Sequence, residues 1–214
     1  FSCLRAMGEL GCMRGLLDNR MKELSAQPSE KAKRSFVEDK VLPLRIDLSR
    51  KWEQMIGYLM QTVYTSGELG TLINLESQTR KTYGFLTKYD QELEVAYGKK
   101  LPTEIYLSET YSQSPRLIVL NERTVIGKGE VYKMEVTVLG TNHIDEVPVL
   151  MYRELGKGKF KAKKMTHEKQ QTFSVQLPDS TEKTIEYYIT MNVDGKKLSY
   201  PASAPEVNST WVKL

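Results

Sequence analysis

Residues 184–193, TIEYYITMNV, are followed directly by Asp194 and Gly195. Apolar and aromatic residues alternate with more polar ones along this segment, a pattern that predicts a strand with one buried and one wetter face. The expected buried face carries Ile185, Tyr187, Ile189, Met191 and Val193, and the opposite face carries Glu186, Tyr188, Thr190 and Asn192. An Asp-Gly pair is typical of a two-residue hairpin turn, because it accepts positive φ at both positions. We therefore predict a central strand that enters a hairpin.

The chain repeats this period-two pattern from Arg116 to its end. Further strands are predicted at 116–120, 131–139, 147–155, 159–165, 171–177, 197–200 and 210–214. Short strands with turn signals about every eight to twelve residues are typical of an immunoglobulin-like or fibronectin-III-like sandwich. This half of the sequence contains no cysteine, which excludes the inter-sheet disulfide of antibody domains.

The first half of the sequence has helical periodicity instead. Helices are predicted from Leu4 to Leu24, from Ser29 to Leu42, from Pro43 to Val63, and from Thr71 to Tyr97. Helices of this length joined by short turns favour a small bundle. The predicted fold class is therefore α+β as two modules, with an N-terminal helical bundle at 1–98, a linker at 99–115 and an all-β sandwich at 116–214.

Composition and charge limit the classes of partner. The net charge of +4 is divided nearly evenly between the two halves, so neither half is basic enough to suggest nucleic acid as the partner. The longest apolar runs are far shorter than the roughly 20 residues that a membrane span requires. We therefore predict neither a nucleic-acid partner nor a membrane span.

The sequence has no local signature of catalysis or metal binding. Its only histidines, His143 and His167, are distant in sequence and have no cysteine beside them. No glycine-rich phosphate loop precedes a helix, and no Ser/His or Cys/His motif is present. We predict no catalytic residue, no metal site and no cofactor.

Four residues are candidates for ligand binding. Glu68 lies between Gly67 and Gly70 at a corner between helices, and could line a ligand site or favour the start of the next helix through its dipole. Tyr188, Tyr200 and Trp211 could form a platform on which sugars stack. The alternative interpretation places at least half of the sandwich aromatics in the core.

The lysine-rich segment 156–164, GKGKFKAKK, also has two interpretations. Alternation places Lys157, Lys159, Lys161 and Lys163 on one side of a strand. Such a side could bind an acidic glycan or a nucleic acid. We favour the alternative, a charged edge strand that prevents aggregation between sheets.

The run 185–214, IEYYITMNVDGKKLSYPASAPEVNSTWVKL, resembles the closing module of large secreted bacterial polysaccharide-degrading enzymes of the glycoside hydrolase type. There, a fibronectin-III-like sandwich ends with a tyrosine-rich strand, a glycine turn, a Tyr-Pro/Ala-Pro stretch and a last valine strand. The run 115–140, PRLIVLNERTVIGKGEVYKMEVTVLG, resembles the entry of the same module. The run 67–80, GELGTLINLESQTR, resembles more loosely the region that precedes it.

This resemblance implies a non-catalytic C-terminal accessory region of a secreted carbohydrate-active enzyme. The region would brace the catalytic domain, contact polysaccharide and lie outside the cytoplasm, in the secreted, periplasmic or cell-surface fraction. The sequence begins within a helical pattern, so we expect an upstream domain of the same polypeptide to cover the α-helical face around Leu4, Met7, Gly8, Gly11 and Gly15. The alternative is a structural or adhesion module with no carbohydrate role. That the chain is itself an enzyme is a third interpretation.

Overall fold

The computed structural model describes residues 1–79, 84–110, 113–177 and 184–214. Helices occupy the part of the chain up to Tyr97 and strands the part from Arg116 onward, which confirms the α+β class. The chain divides into two compact units. The helical unit comprises Phe1–Thr62 and Gly70–Tyr111, and the β unit comprises Val63–Leu69 and Ser112–Leu214.

The helices of the described residues follow the predicted order with different boundaries. They are α1 (Ser2–Ser25), α2 (Glu30–Phe36), α3 (Leu42–Met60), α4 (Ser66–Ser77) and α5 (Asp90–Tyr97), with a π-helical segment at Val37–Val41 and a 3-10 turn at Thr103–Ile105. None of these helices combines the length and apolarity needed to cross a bilayer.

Pro43 does not break the chain into two helices as its position suggests. Helical backbone continues from α2 through the π-helical segment into α3, and the Leu42 N–H donates to the carbonyl of Val37, five residues earlier. Proline has no N–H, and its ring would clash with the carbonyl four residues before it. The π-helical segment lies directly before Pro43, where it widens the turn and lets the helix continue.

The prediction of one helix from Thr71 to Tyr97 is wrong. Helix α4 begins at Ser66, and turns at 85–89 separate it from α5. Gly84, at φ +50°, adopts a left-handed conformation that does not belong to an α-helix. The prediction counted Tyr83 as a helical residue, and Tyr83 lies outside the described residues. Periodicity alone did not reveal the break, because apolar residues continue at helical spacing on both sides of it.

The buried face of α3 contains an arginine as well as the predicted apolar residues. Leu48, Trp52 and Met55 are buried as expected, and Arg45 is only 1% exposed. Its Nε and Nη2 donate to the two carboxylate oxygens of Asp90, at 2.8 and 2.9 Å. A buried guanidinium is tolerated because its donors are satisfied in this way.

The remaining donor of Arg45 extends this network to a third element. Its Nη1 donates to Ser49 Oγ at 2.6 Å and to the Ile105 carbonyl at 3.4 Å. Asp90 is the first residue of α5, and Ile105 ends the 3-10 turn. One side chain therefore fastens α3 to α5 and to the segment that follows α5.

The β unit contains two sheets. Its strands are β1 (Arg116–Val119), β2 (Val125–Ile126), β3 (Lys133–Leu139), β4 (Val149–Glu154), β5 (Lys161–Lys164), β6 (Thr166–Lys169), β7 (Thr172–Gln176), β8 (Ile185–Val193), β9 (Lys196–Tyr200) and β10 (Ser209–Lys213). One sheet has the order β1-β3-β7-β6. The other has the order β2-β10-β8-β4-β5, with β9 also paired to β8. Strands β2 and β6 were not predicted, because neither has an apolar alternation.

Strand β8 is the predicted central strand. Its predicted apolar face is at most 5% exposed at every position, and it pairs with β4 on one edge and with β10 and β9 on the other. The hairpin to β9 turns at Asp194 and Gly195, which have φ of 49° and 71°. One hydrophobic cluster joins residues of both sheets, including Met134 and Phe173 of the first and Tyr187 of the second.

The lysine-rich segment forms the edge of a sheet. Strand β5 is the last strand of its sheet, and all four of its residues are exposed. The chain then passes through the buried Met165 into β6, the edge of the other sheet. Charged edge strands discourage pairing with another chain. The position of β5 is that of a protective edge.

Replacing Arg45 with Met should destabilise the helical unit by about 3 kcal/mol, because the partly buried Asp90 carboxylate would lose its bidentate partner. Urea unfolding followed by circular dichroism at 222 nm measures the change. The control is Arg50→Met, which removes an exposed pair with Asp47 and should change stability by less than about 0.5 kcal/mol. Equal effects of the two substitutions would contradict the role given to Arg45.

Candidate functional site

Glu68 lies in the cap of helix α4. The Glu68 N–H donates to Thr65 Oγ1 at 3.3 Å, and Glu68 Oε2 accepts from the Thr65 N–H at 2.9 Å. This reciprocal pair is a capping box. Glu68 Oε2 also accepts from the Tyr64 N–H at 2.7 Å, and these backbone donors, that of Tyr64 first, lower the pKa of the carboxyl. The carboxylate therefore stabilises the start of α4 by hydrogen bonds, whereas the sequence interpretation had it act through the dipole of a helix beginning at Thr71.

Tyr200 and Trp211 lie on the core side of the six-stranded sheet. Register places Tyr200 opposite Ile189 and Trp211 opposite Ile185, on the buried face of β8. Trp211 is 3% exposed, and its ring stacks on that of Tyr187 with 4.3 Å between centroids. Trp211 therefore offers little surface for a ligand, which agrees with the interpretation of these aromatics as core.

Glu122 connects Tyr187 and Tyr200 on the core side of this sheet, and no local sequence pattern identifies it. The Tyr200 hydroxyl donates to Glu122 Oε2 at 2.6 Å, and the Tyr187 hydroxyl donates to Oε1 at 3.4 Å. The nearby Tyr132 hydroxyl donates to the Asn121 carbonyl at 2.7 Å. We call Glu122, Tyr132, Tyr187 and Tyr200 the tyrosine cluster.

The three tyrosines of the tyrosine cluster are neutral donors. Burial raises the pKa of Tyr132 to about 12, and burial together with the Glu122 charge raises the pKa of Tyr187 and of Tyr200. These hydroxyls therefore stay protonated at neutral pH, and none of them is a general base there. Their hydrogen bonds fix the segment around Glu122 to strands β8 and β9.

Tyr188 lies on the opposite side of β8 from Tyr187. Its half-buried ring meets Phe160 edge to face, with 5.0 Å between centroids and 72° between planes. The Arg153 guanidinium lies over the Phe160 ring at 4.2 Å, and Met151 pairs directly with Tyr188. We call Met151, Arg153, Phe160 and Tyr188 the Tyr188 face. Alternation along β8 thus separates Tyr188 from Tyr200 and Trp211, so these three aromatics do not form one platform.

Glu186 holds the Tyr188 face in place. It is 7% exposed and forms an ion pair with Arg153 Nε at 2.6 Å. It also accepts from the Gly156 N–H at 2.9 Å and from Asn208 Nδ2 at 3.2 Å. The Arg153 hydrogen bond is the largest influence that lowers the pKa of Glu186, with smaller contributions from Gly156 and Asn208, while burial opposes them. Glu186 therefore fixes Arg153, the β4–β5 turn and the segment before β10.

His143 and His167 lie closer together than their sequence separation suggested. Both line a pocket of about 420 Å³, together with Asp145, Glu146 and Gln171. His143 Nε2 is 2.9 Å from Asp145 Oδ1, and His167 Nε2 is 2.7 Å from the Gln170 carbonyl. Across the described ranges, no three His, Cys, Asp or Glu side chains are grouped so that they could hold a metal ion.

Replacing Glu186 with Gln should lower stability at neutral pH by about 2 kcal/mol, because a charge-assisted hydrogen bond to Arg153 is lost. The pKa of the Glu186 carboxyl is lower in the folded protein than its ordinary value of 4.5. Such a carboxyl contributes its full stabilisation above pH 4.5, and the contribution is lost as the pH falls through the pKa of the folded state. The difference between wild type and Glu186→Gln should therefore shrink below about pH 4.5.

Thermal unfolding of both proteins across this pH range measures the difference. The control is Glu206→Gln, an exposed carboxyl in the segment before β10, which should leave stability nearly unchanged. A difference between wild type and Glu186→Gln that persists unchanged at low pH would rule out the ionised carboxylate as the source of stability.

Neither the protein-family models nor the curated proteins searched contain a match to this chain. A functional assignment therefore depends on the Tyr188 face, the tyrosine cluster and the exposed surface of α1.

Proposed function

We propose that this chain is a non-catalytic accessory region of a secreted bacterial carbohydrate-active enzyme of the glycoside hydrolase type, with a role in carbohydrate metabolism. In this proposal the β unit is an immunoglobulin-like or fibronectin-III-like sandwich, and the helices form a small bundle. The hydrophobic cluster shared by the two sheets supports face-to-face packing of the sheets. The Lys51–Glu9 ion pair of 2.7 Å between α3 and α1 supports packing of neighbouring helices.

The observation that carries the proposal is the Tyr188 face. Phe160 and Tyr188 are each half-buried, so part of each ring remains available to a ligand. Sugar rings have apolar C–H surfaces that pack on aromatic rings, while their hydroxyls accept from a guanidinium such as Arg153. Because Glu186 holds Arg153, this surface is ordered before a ligand arrives, which lowers the entropic cost of binding.

The exposed surface of α1 favours a second candidate function, the bracing of another protein domain. Leu4 and Met7 are 69% and 50% exposed. A Cβ added at Gly8, Gly11 or Gly15 would meet no other atom within 4 Å, so this side of the helix is open. An exposed apolar helix side with small residues permits close approach of a partner. An upstream domain of the same polypeptide would fit this surface, as would the partner of an adhesion module with no carbohydrate role.

Replacing Tyr188 with Ala should weaken binding to a polysaccharide about tenfold, or about 1.4 kcal/mol, because an aromatic contact to the sugar ring is lost. Affinity electrophoresis in gels that contain xylan, galactan, dextran or polygalacturonate identifies the bound polymer. The control is Tyr106→Ala, which removes an exposed tyrosine of the helical unit and should leave migration unchanged.

A second variant distinguishes the loss of an aromatic contact from the loss of folding. Phe160→Leu keeps an apolar side chain but removes the ring, and it should weaken binding with little change in melting temperature. If the wild type is retarded by none of these polymers, the carbohydrate role is wrong and the structural alternative is favoured.

The open side of α1 should make the isolated chain self-associate. Leu4→Lys together with Met7→Lys should shift the population toward monomer, because charged side chains oppose burial of this surface. Sedimentation velocity measures the shift. Val95→Lys, at a 76% exposed position on α5, serves as the control and should have no effect. A wild-type chain that remains monomeric at high concentration would speak against a bracing surface on α1.

A further inference from the structure

The pocket of the β unit that contains both histidines is not used by the Tyr188 face. Its volume is about 420 Å³, and it is lined by the β3–β4 connection, by strands β6 and β7 and by the turn between them. Small-ligand sites typically have volumes of roughly 300–1,000 Å³. Hydrogen bonds hold its walls, because the Gln171 amide donates to the Thr141 carbonyl and Asn192 Nδ2 donates to Glu146 Oε2 at 3.0 Å. The pocket is therefore formed before a ligand arrives.

Each histidine of the pocket has one ring nitrogen occupied by a hydrogen-bond acceptor. His143 Nε2 lies 2.9 Å from Asp145 Oδ1, and His167 Nε2 lies 2.7 Å from the Gln170 carbonyl oxygen. A carboxylate and a carbonyl only accept hydrogen bonds, so Nε2 carries the hydrogen in both rings. The lone pair of each neutral imidazole is then on Nδ1, which can accept from a hydroxyl group of a ligand.

The residue types of the lining select a class of ligand. Among the described residues that line the pocket, none is a lysine or an arginine, so an anionic ligand would find no ammonium or guanidinium partner. Carboxylates, imidazoles and side-chain amides supply both acceptors and donors there. Hydroxyl groups also donate and accept, and a sugar carries several of them on one ring. The lining therefore fits an uncharged sugar.

The pocket adjoins the outer side of the six-stranded sheet. Asn192, which donates to Glu146 of the pocket, lies four residues beyond Tyr188 on the same side of β8. Four residues of a strand span about 13 Å at roughly 3.3 Å per residue. Thr190 lies between them, and its partners on β4 and β9 are a valine and a serine. These small side chains leave a shallow path along β8 from Tyr188 toward the pocket.

We propose that this pocket binds the terminal sugar of a glycan chain whose following sugars lie on the Tyr188 face. Hydroxyls of the terminal sugar donate to His143 and His167, while Phe160 and Tyr188 contact the rings of the sugars behind it. This inference rests on the proposed carbohydrate-binding function and adds recognition of a chain end. A short glycan uses both surfaces, whereas the interior of a long polymer uses only the Tyr188 face.

The test compares hexasaccharides of xylan, galactan and dextran with the parent polymers, as ligands of the full chain. Calorimetric titration measures hexasaccharide affinity, and affinity electrophoresis measures polymer affinity. His143→Phe with His167→Phe keeps a ring at each position but removes the acceptors. It should weaken hexasaccharide binding about tenfold and polymer binding less than about twofold, since two hydrogen bonds to the chain end are lost.

Three further variants complete the test. His143→Gln with His167→Gln keeps a polar acceptor at each position and should retain most of the hexasaccharide affinity. Asn142→Trp narrows the pocket without replacing either histidine and should cause the same selective loss as the phenylalanine variant. Lys31→Phe, at an exposed position of α2, is the control for an added aromatic ring and should bind as the wild type does.

The outcomes separate this proposal from the general carbohydrate role. Hexasaccharide binding that Tyr188→Ala weakens, but that neither the phenylalanine variant nor Asn142→Trp weakens, would overturn the pocket assignment and leave the general role standing. Equal weakening of hexasaccharide and polymer binding by these pocket variants would also overturn it, because no chain end would then be recognised. Absence of binding to every polymer and hexasaccharide would overturn both.

Discussion

The ion pair between Glu186 and Arg153 organises the outer side of the six-stranded sheet. Burying a carboxylate is costly unless its oxygens are well supplied with donors. Here a guanidinium, a backbone N–H and an amide converge on one carboxylate from three different parts of the chain. Removing any one donor leaves part of a buried charge uncompensated, so the turn after β4 and the segment before β10 depend on the same residue as the Tyr188 face.

The helical unit also depends on an ion pair, in which the more buried partner is the cation rather than the carboxylate. Arg45 is the buried charge, and Asp90, Ser49 and the Ile105 carbonyl are its acceptors. In both units an ion pair connects elements that hydrophobic contacts alone would allow to slide along one another. The apolar core supplies the free energy of burial, while the directional hydrogen bonds determine which turn packs against which helix or strand.

The sequence predicts those parts of the fold that depend on near neighbours. Alternation identified the buried face of β8 and its hairpin, because both follow from adjacent residues. The same alternation assigned Glu186 to a wetter face, and the structure buries it, because its donors come from positions 153, 156 and 208. The capping role of Glu68 could be recognised from the spacing Thr65-Ser66-Gly67-Glu68, whereas Glu122 gave no local signal since its partners are distant tyrosines.

The hydrogen bond from Asn208 to Glu186 makes the chemistry of this asparagine depend on folding. Asn208-Ser209-Thr210 is an acceptor sequence for N-linked glycosylation. In the folded chain, however, the Asn208 amide nitrogen already donates to Glu186 and to the Pro205 carbonyl at 3.2 Å. A glycan attached to this nitrogen replaces one of its two N–H groups, so the hydrogen bond to Glu186 and the one to the Pro205 carbonyl cannot both persist. Glycosylation at Asn208 would therefore compete with the contacts that hold this turn to the buried carboxylate.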